Sequence, residues 1–234
     1  MYTELAWIYD RIYPQIFSYY DMFDLIDGLL KSHKCRRIIE VACGTGRLMA
    51  ILEENGYEVA GLDLSQEMLY IARGRCRGEL LRQNMRDIRV GEPFDALICM
   101  EGSFGYMLTD EDVDRALGSF NEALHDGGIL IFDCFDAERR RHDFGKWREV
   151  VFECDDVKVT KRSRSSDFKG SDGTWIVDWE YVIEAEDGAR VVEDRAMLRS
   201  FYKDDLVRAL KEKGFQTISV LPHGNLIFQA EKVR

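Results

Sequence analysis

The chain has 234 residues, 46% hydrophobic and 12% aromatic, enough for one well-formed domain with or without an insertion and too few for two comparable cores. Its formal charge of −11 opposes a phosphate backbone, whose binding rests largely on lysine and arginine, so nucleic acid is not an expected partner. No run approaches the ~18 apolar residues of a membrane span, and the start Met-Tyr-Thr-Glu-Leu-Ala-Trp lacks the features of an export signal, so a soluble cytoplasmic protein with no membrane partner is expected.

In chain order, an irregular aromatic start around Trp7, Tyr9, Tyr13 and Pro14 precedes Tyr20, Phe23, Ile26 and Leu30 at helical spacing. Residues 1–35 are read as a cap of two helices. Five short apolar runs follow, at 38–42, 57–64, 79–84, 94–100 and 128–135, with helical stretches between most of them. Ser65 is placed to cap one helix, and Thr109 with Asp112 makes a capping-box pattern ahead of another. Gly56, Gly74 and Gly127 stand where a helix end favours a left-handed residue. Strands alternating with helices in this way require crossovers and a parallel sheet covered on both faces.

After Phe135 the alternation stops. Residues 150–160, 174–185 and 190–201 pattern as exposed antiparallel strands joined by turns at 170–173 and 186–188, an inserted β region over 146–201. A helix from about Lys203, stopped at Gly214, leads to strands at 217–221 and 226–231, close enough in sequence to pair antiparallel. The expected fold is α/β: a Rossmann-like, seven-stranded, mostly parallel sheet with its last strand antiparallel, forming one domain over 1–234.

The densest chemical signal is the strand-to-helix turn Glu40-Val41-Ala42-Cys43-Gly44-Thr45-Gly46-Arg47. Its glycines admit a ligand close to the backbone, and the helix start beyond offers N–H groups. Asp63, nineteen residues after Gly44 at the end of the second strand, is positioned to accept from both hydroxyls of an adenosine ribose. A dinucleotide fingerprint would need a small residue where Met49 stands, and no Gly-Lys-Ser/Thr phosphate loop is present. The turn therefore suits an adenosine cofactor without phosphates, such as S-adenosylmethionine.

The stretch Glu40 to Leu48, then Gly61-Leu62-Asp63-Leu64-Ser65 with Met68 and Leu69, resembles the first two motifs of class I S-adenosylmethionine-dependent methyltransferases. Asn84-Met85-Arg86-Asp87-Ile88, the run Phe94 to Tyr106 and the late β insertion resemble amino-sugar N,N-dimethyltransferases and, more distantly, glycine/sarcosine N-methyltransferases. The resemblance implies that Ala42, Gly44 and Gly46 face the methionyl part of the cofactor, with Glu40 near its amino group. It implies further that Asp63 holds the ribose, that Leu64 packs on adenine, and that Asn84 and Met85 meet the adenine edge. The family usually has Asp where this chain has Asn84, which gives up charge assistance there.

Met100 ends the fourth strand, where open α/β sheets place ligands, so the loop Glu101-Gly102-Ser103-Phe104-Gly105-Tyr106 is expected to line the reacting end, with Ser103 in contact with the cofactor. That loop lacks the Asn-Pro-Pro-Tyr or Asp-Pro-Pro-Tyr pattern of nucleobase methylation. Tyr9 is a candidate cofactor contact, and Tyr13 and Tyr106 are candidate catalytic or acceptor contacts. Methylation of a small amine is expected. Methylation of a hydroxyl or carboxylate is the rival reaction, and a non-catalytic S-adenosylmethionine-binding protein the rival class.

The six cysteines form no C-x-x-C pair and read as buried, reduced thiols, with no metal expected. His125 and His142 read as solvated. Two basic clusters, Arg139-Arg140-Arg141 and Lys158 with Lys161, Arg162 and Arg164, read as solvated surface or, in the sharper alternative, as a grip on a phosphate-bearing acceptor. The insertion is expected to shape acceptor choice and is a candidate homodimer contact.

Overall fold

The structure is a computed structural model that describes residues 5–139, 144–167 and 173–233. The helices are α1 (Ala6–Ile12), α2 (Tyr19–Ser32), α3 (Arg47–Glu54), α4 (Gln66–Arg73), α5 (Asp110–Ala123) and α6 (Lys203–Glu212). The strands are β1 (Arg37–Val41), β2 (Glu58–Asp63), β3 (Leu80–Arg82), β4 (Phe94–Cys99), β5 (Leu124–Asp136), β6 (Arg148–Cys154), β7 (Val157–Asp167), β8 (Thr174–Ala185), β9 (Gly188–Phe201), β10 (Phe215–His223) and β11 (Asn225–Lys232).

Seven of these strands build the central sheet in the order β3-β2-β1-β4-β5-β11-β10. β1 through β5 are parallel and β11 runs antiparallel between β5 and β10. This is the seven-stranded arrangement expected from the alternation of apolar runs. Side chains alternate across the sheet: Ile39, Val41, Leu97 and Cys99 pack in the core cluster that holds the buried residues of α5 and α6. Ile38, Ala96 and Ile98 pack in the cluster that holds those of α2 and α3.

Side-chain caps close the starts of α2, α4 and α5. Ser18 accepts from the Asp21 N–H, Ser65 from the Met68 N–H, and Thr109 and Asp112 complete the capping box. Gly56 and Gly127 take the left-handed backbone expected of them, at φ +91° and +82°. Gly74 does not: at φ −76° it is right-handed, because α4 ends in tight turns from Gly74 and Arg75 to the carbonyls of Ile71 and Ala72.

The insertion is an antiparallel meander, β6-β7-β8-β9, with four strands where three were expected. The segment 150–160 turns at Asp155-Asp156, and its second half continues as β7 to Asp167. Of the turn expected at 170–173, only Gly173 lies within the described residues. β9 joins the central sheet by pairing with Phe135 and Asp136 at the end of β5. Helix α1 docks on this sheet: Ile8 and Ile12, fully buried, pack in one cluster with Phe152, Val159, Tyr181 and Ile183. Burying each of those isoleucines is worth roughly 1.5–3 kcal/mol, so the cap and the insertion form one packed unit.

Six cysteines are free thiols; Cys35, Cys43, Cys99 and Cys134 are buried, whereas Cys76 and Cys154 are partly exposed, a correction to the reading of all six as interior. No helix among the described residues is long and apolar enough to cross a membrane.

Candidate functional site

The site begins where β1 leaves the sheet. Ala42, Gly44 and Gly46 all take left-handed backbone, at φ +59°, +54° and +75°. For Ala42 that conformation costs about 1–2 kcal/mol, a strain typical of functional turns. Asp63, at the end of β2, holds the turn from the side: one carboxylate oxygen accepts from the Gly44 N–H at 2.9 Å, the other from the Ser65 N–H at 2.8 Å. Ser65 itself caps α4, so the Asp63 carboxylate joins two loops and does not serve as the helix cap.

Around this turn opens a cavity of about 570 Å³ at the C-terminal ends of β1, β2 and β4. Tyr9, Glu40, Ala42, Gly44, Asp63, Leu64, Asn84, Met85, Met100, Ser103 and Tyr106, all expected from the sequence, line it together. Gly46 does not. A Cβ there would lie 2.5 Å from the Cys76 Sγ, so Gly46 serves close packing of the start of α3 against the loop after α4. Leu64 stays 62% exposed at the cavity wall, an apolar surface left for a ligand to cover. The Asn84 side-chain carbonyl accepts from the Arg86 N–H at 3.0 Å and its guanidinium at 3.1 Å, and Arg86 is ion-paired with Asp112.

Glu40 is the most deeply buried carboxyl group of the first cavity. It is 7% exposed, and its Oε2 is buried without a hydrogen-bond partner. Burial first, then the neighbouring carboxylates of Glu101 and Asp63, hold its pKa well above the usual carboxylate range, opposed only by a hydrogen bond from the Met49 backbone. A cation in the cavity would relieve that cost.

A second cavity, of about 720 Å³, adjoins the first and shares Tyr9, Met100, Glu101 and Tyr106 with it. Tyr13 lies here, outside the first cavity, stacked on Tyr9 at 3.8 Å between ring centres. Glu101 takes left-handed backbone at φ +62°, and its Oε2 accepts from the Tyr9 hydroxyl at 3.1 Å. Burial raises its pKa to about 7, with Asp133 adding to the shift and the hydroxyls of Tyr9 and Tyr19 opposing it. Asp133 accepts from the Gly102 N–H at 2.7 Å and from the Asn225 amide at 2.6 Å, which fixes the turn that carries Glu101.

The basic cluster of the insertion separates by strand parity. Lys161 points inward to the second cavity, donating to the Tyr13 hydroxyl at 3.1 Å, and burial lowers its pKa to about 8. Arg162 pairs with Glu149 and Glu180, Arg164 with Asp178, and Lys158 with Glu184. Carboxylates on neighbouring strands thus neutralise Lys158, Arg162 and Arg164 at the surface, in line with the solvated reading, and of the alternative, a joint phosphate grip, only the single inward Lys161 is left. Arg139 pairs with Asp136, while Arg140, Arg141 and His142 lie outside the described residues. His125 is exposed as expected, though it pairs with Asp95 at 3.0 Å.

The sequence reading missed Tyr19, Asp133 and Asn225 as site residues and gave Glu101 no role beyond its loop. The acidic residue before Gly102, at the end of a central strand, was the available signal. Asp10 was missed too. From α1 it pairs with Arg47 and Arg75, each at 3.0 Å, and so latches the cap over the glycine turn.

A family model described as a methyltransferase domain matches residues 38–128. "Putative methyltransferase YqeM" of Bacillus subtilis is 30% identical over 186 residues, covering 77% of this chain and 73% of that protein. The dTDP-3-amino-3,4,6-trideoxy-alpha-D-glucopyranose N,N-dimethyltransferase of Streptomyces venezuelae is 36% identical over 114 residues, 48% of this chain and 47% of that enzyme. The matched stretches span from about two fifths to about three quarters of the length of the curated relatives. The crystal structure of DesVI of Streptomyces venezuelae superimposes with a TM-score of 0.87 at 25% identity, covering 97% of this chain and 98% of that one.

Proposed function

The chain belongs to the methyltransferase-domain family, and from that premise we propose that it is an enzyme transferring a methyl group from S-adenosylmethionine to a small amine, an amino sugar or an amino-acid-like compound. The observation that carries this reading is the buried, unpartnered Glu40 oxygen in a cavity that also presents the Gly44 turn and the Asp63 carboxylate. An α-ammonium group would supply the missing partner. In this reading Gly44 and Ala42 face the amino-acid part, Asp63 the ribose hydroxyls, and Leu64, Met85 and Asn84 the adenine, while Met100 and Ser103 border the reacting end.

The rest of the cavity fits a cofactor without phosphates. Arg47 and Arg86, which line it, are committed to Asp10 and Asp112. Met49 is fully buried and fills the gap between α3 and β2, where Gly61 makes room: a Cβ on Gly61 would lie 2.8 Å from the Met49 sulfur. S-adenosylmethionine supplies an electrophilic methyl group on a sulfonium, and the protein's task is to align the acceptor and exclude water. The adjoining second cavity supports catalysis over mere binding. The amine preference is supported by its carboxylates, Glu101 and Asp133, and by the amino-sugar relative.

We read 1–234 as one catalytic domain in which described residues of the 1–35 cap border both cavities and those of the 146–201 insertion border the second. The edge strand β6, with Val150 and Val151 exposed, is where we place a homodimer contact, and the mass in solution by light scattering decides it. Calorimetry tests the cofactor assignment. S-adenosylhomocysteine is expected to bind and NAD to give no heat of binding; tight NAD binding without a response to S-adenosylhomocysteine would overturn the reading.

A further inference from the structure

Glu101 stands in the wall common to both cavities, the position a group needs in order to meet an acceptor nitrogen and face the methyl donor. Three features mark it as placed there by the fold. It holds a left-handed backbone that a residue with a Cβ adopts only under constraint, at φ +62°. The following Gly102 is pinned by Asp133, which is itself held by Asn225. A Cβ on Gly102 would lie 2.5 Å from the Phe135 ring, so the turn is packed as well as hydrogen-bonded.

We propose that Glu101 is the acceptor base: it receives the ammonium group of the incoming amine in the second cavity and takes the proton that must leave before the nitrogen can attack. The inference rests on reading the two cavities as donor and acceptor sites. The N–H bond breaks and its proton goes to the Glu101 carboxylate, while the freed lone pair of nitrogen forms the N–C bond to the methyl group. The C–S bond breaks with its electron pair staying on sulfur, and the proton on Glu101 then passes to solvent.

The other titratable groups facing Glu101 are less suited. Asp133 already accepts two hydrogen bonds that hold the turn. Glu40 belongs to the first cavity only, and Lys161 donates to Tyr13. Tyr13 and Tyr19 are pushed further from ionisation by burial and by Glu101 itself, and Tyr9 donates to Glu101. Tyr106, also in the shared wall, is left to orient the acceptor. A carboxyl group titrating at about 7 is matched to proton transfer at neutral pH.

The test compares wild type with Glu101→Gln, using glycine and a dTDP-3-amino sugar as probes. For whichever amine turns over, kcat/KM of the wild type is expected to rise with pH through a limb near 7 and then level until the amine itself titrates. The variant is expected to lose that limb and fall on the order of a hundredfold or more in kcat, while S-adenosylhomocysteine affinity stays within about threefold. A second readout needs no turnover. Calorimetry of the amine on the S-adenosylhomocysteine-saturated protein at pH 6, in two buffers of different ionisation enthalpy, is expected to show proton release from the wild type and none from the variant. Unchanged kcat and pH profile in Glu101→Gln, equal proton release, or failure of both amines to bind and react while S-adenosylhomocysteine binds would overturn the proposal and leave the cofactor reading standing. Loss of S-adenosylhomocysteine binding in the wild type would instead sink the cofactor reading itself.

Discussion

Asp63→Ala is expected to weaken S-adenosylhomocysteine binding by about 2–4 kcal/mol, roughly thirty- to a thousandfold, since hydrogen bonds to a charged acceptor are lost at the ribose. The structure adds a second cost. The Gly44 and Ser65 N–H groups lose their acceptor; both are half-buried at the cavity wall, so water replaces part of the loss and the cost stays below the roughly 1–3 kcal/mol of a fully buried unsatisfied donor. The variant is therefore expected to melt at a lower temperature as well. Asp63→Asn, which keeps one side-chain oxygen, separates the two effects: it should recover part of the stability and little of the affinity. Unchanged affinity in folded Asp63→Ala would reduce Asp63 to a loop clamp.

Glu40→Gln is expected to cost about 1.5–3 kcal/mol of cofactor affinity, the worth of a hydrogen bond to a charged group, with the opposite sign in the free protein. Burial and the adjacent carboxylates raise the Glu40 pKa in the folded state. The stability this contributes is fully present below the ordinary carboxylate pKa and is lost as pH rises through the raised one. Without ligand, the stability of the wild type relative to the variant should therefore fall with rising pH, and saturating S-adenosylhomocysteine should suppress the fall. Denaturant titrations over a pH series measure both. A pH-independent difference would mean that Glu40 does not titrate in a shifted range and that its unpartnered oxygen is not the cation site.

The central sheet was legible because β1, β2, β4, β5 and β11 are apolar runs bounded by a helix cap or a turn, and burial on both faces leaves little choice of period. The turn at Asp155-Asp156 was not, because the connection is only two residues long and carries no glycine or proline to mark it. Gly44 and Asp63 declared themselves through residue type and spacing. At Gly46 the letter alone left the role open, since a left-handed glycine serves close packing as readily as ligand approach, and the neighbour, Cys76, is visible only in the structure. Glu101 shows the reverse problem: nothing in the letter Glu announces a positive φ, and its exceptional position comes from a turn fixed by Asp133 and Asn225, more than thirty and one hundred residues away. The split of Lys161 from Arg162 and Arg164 was available from the two-residue period of a strand once β7 was recognised.

The most direct measurement is to incubate the protein with methyl-labelled S-adenosylmethionine and matched pairs of small acceptors that carry an amine or, in its place, a hydroxyl, and to locate the label by mass spectrometry. The expected result is N-methyl product from at least one amine, formation of S-adenosylhomocysteine in equal amount, and no product from the hydroxyl partner of that pair. Label found only on oxygen, or S-adenosylhomocysteine bound tightly with no label transferred to any acceptor, would contradict it.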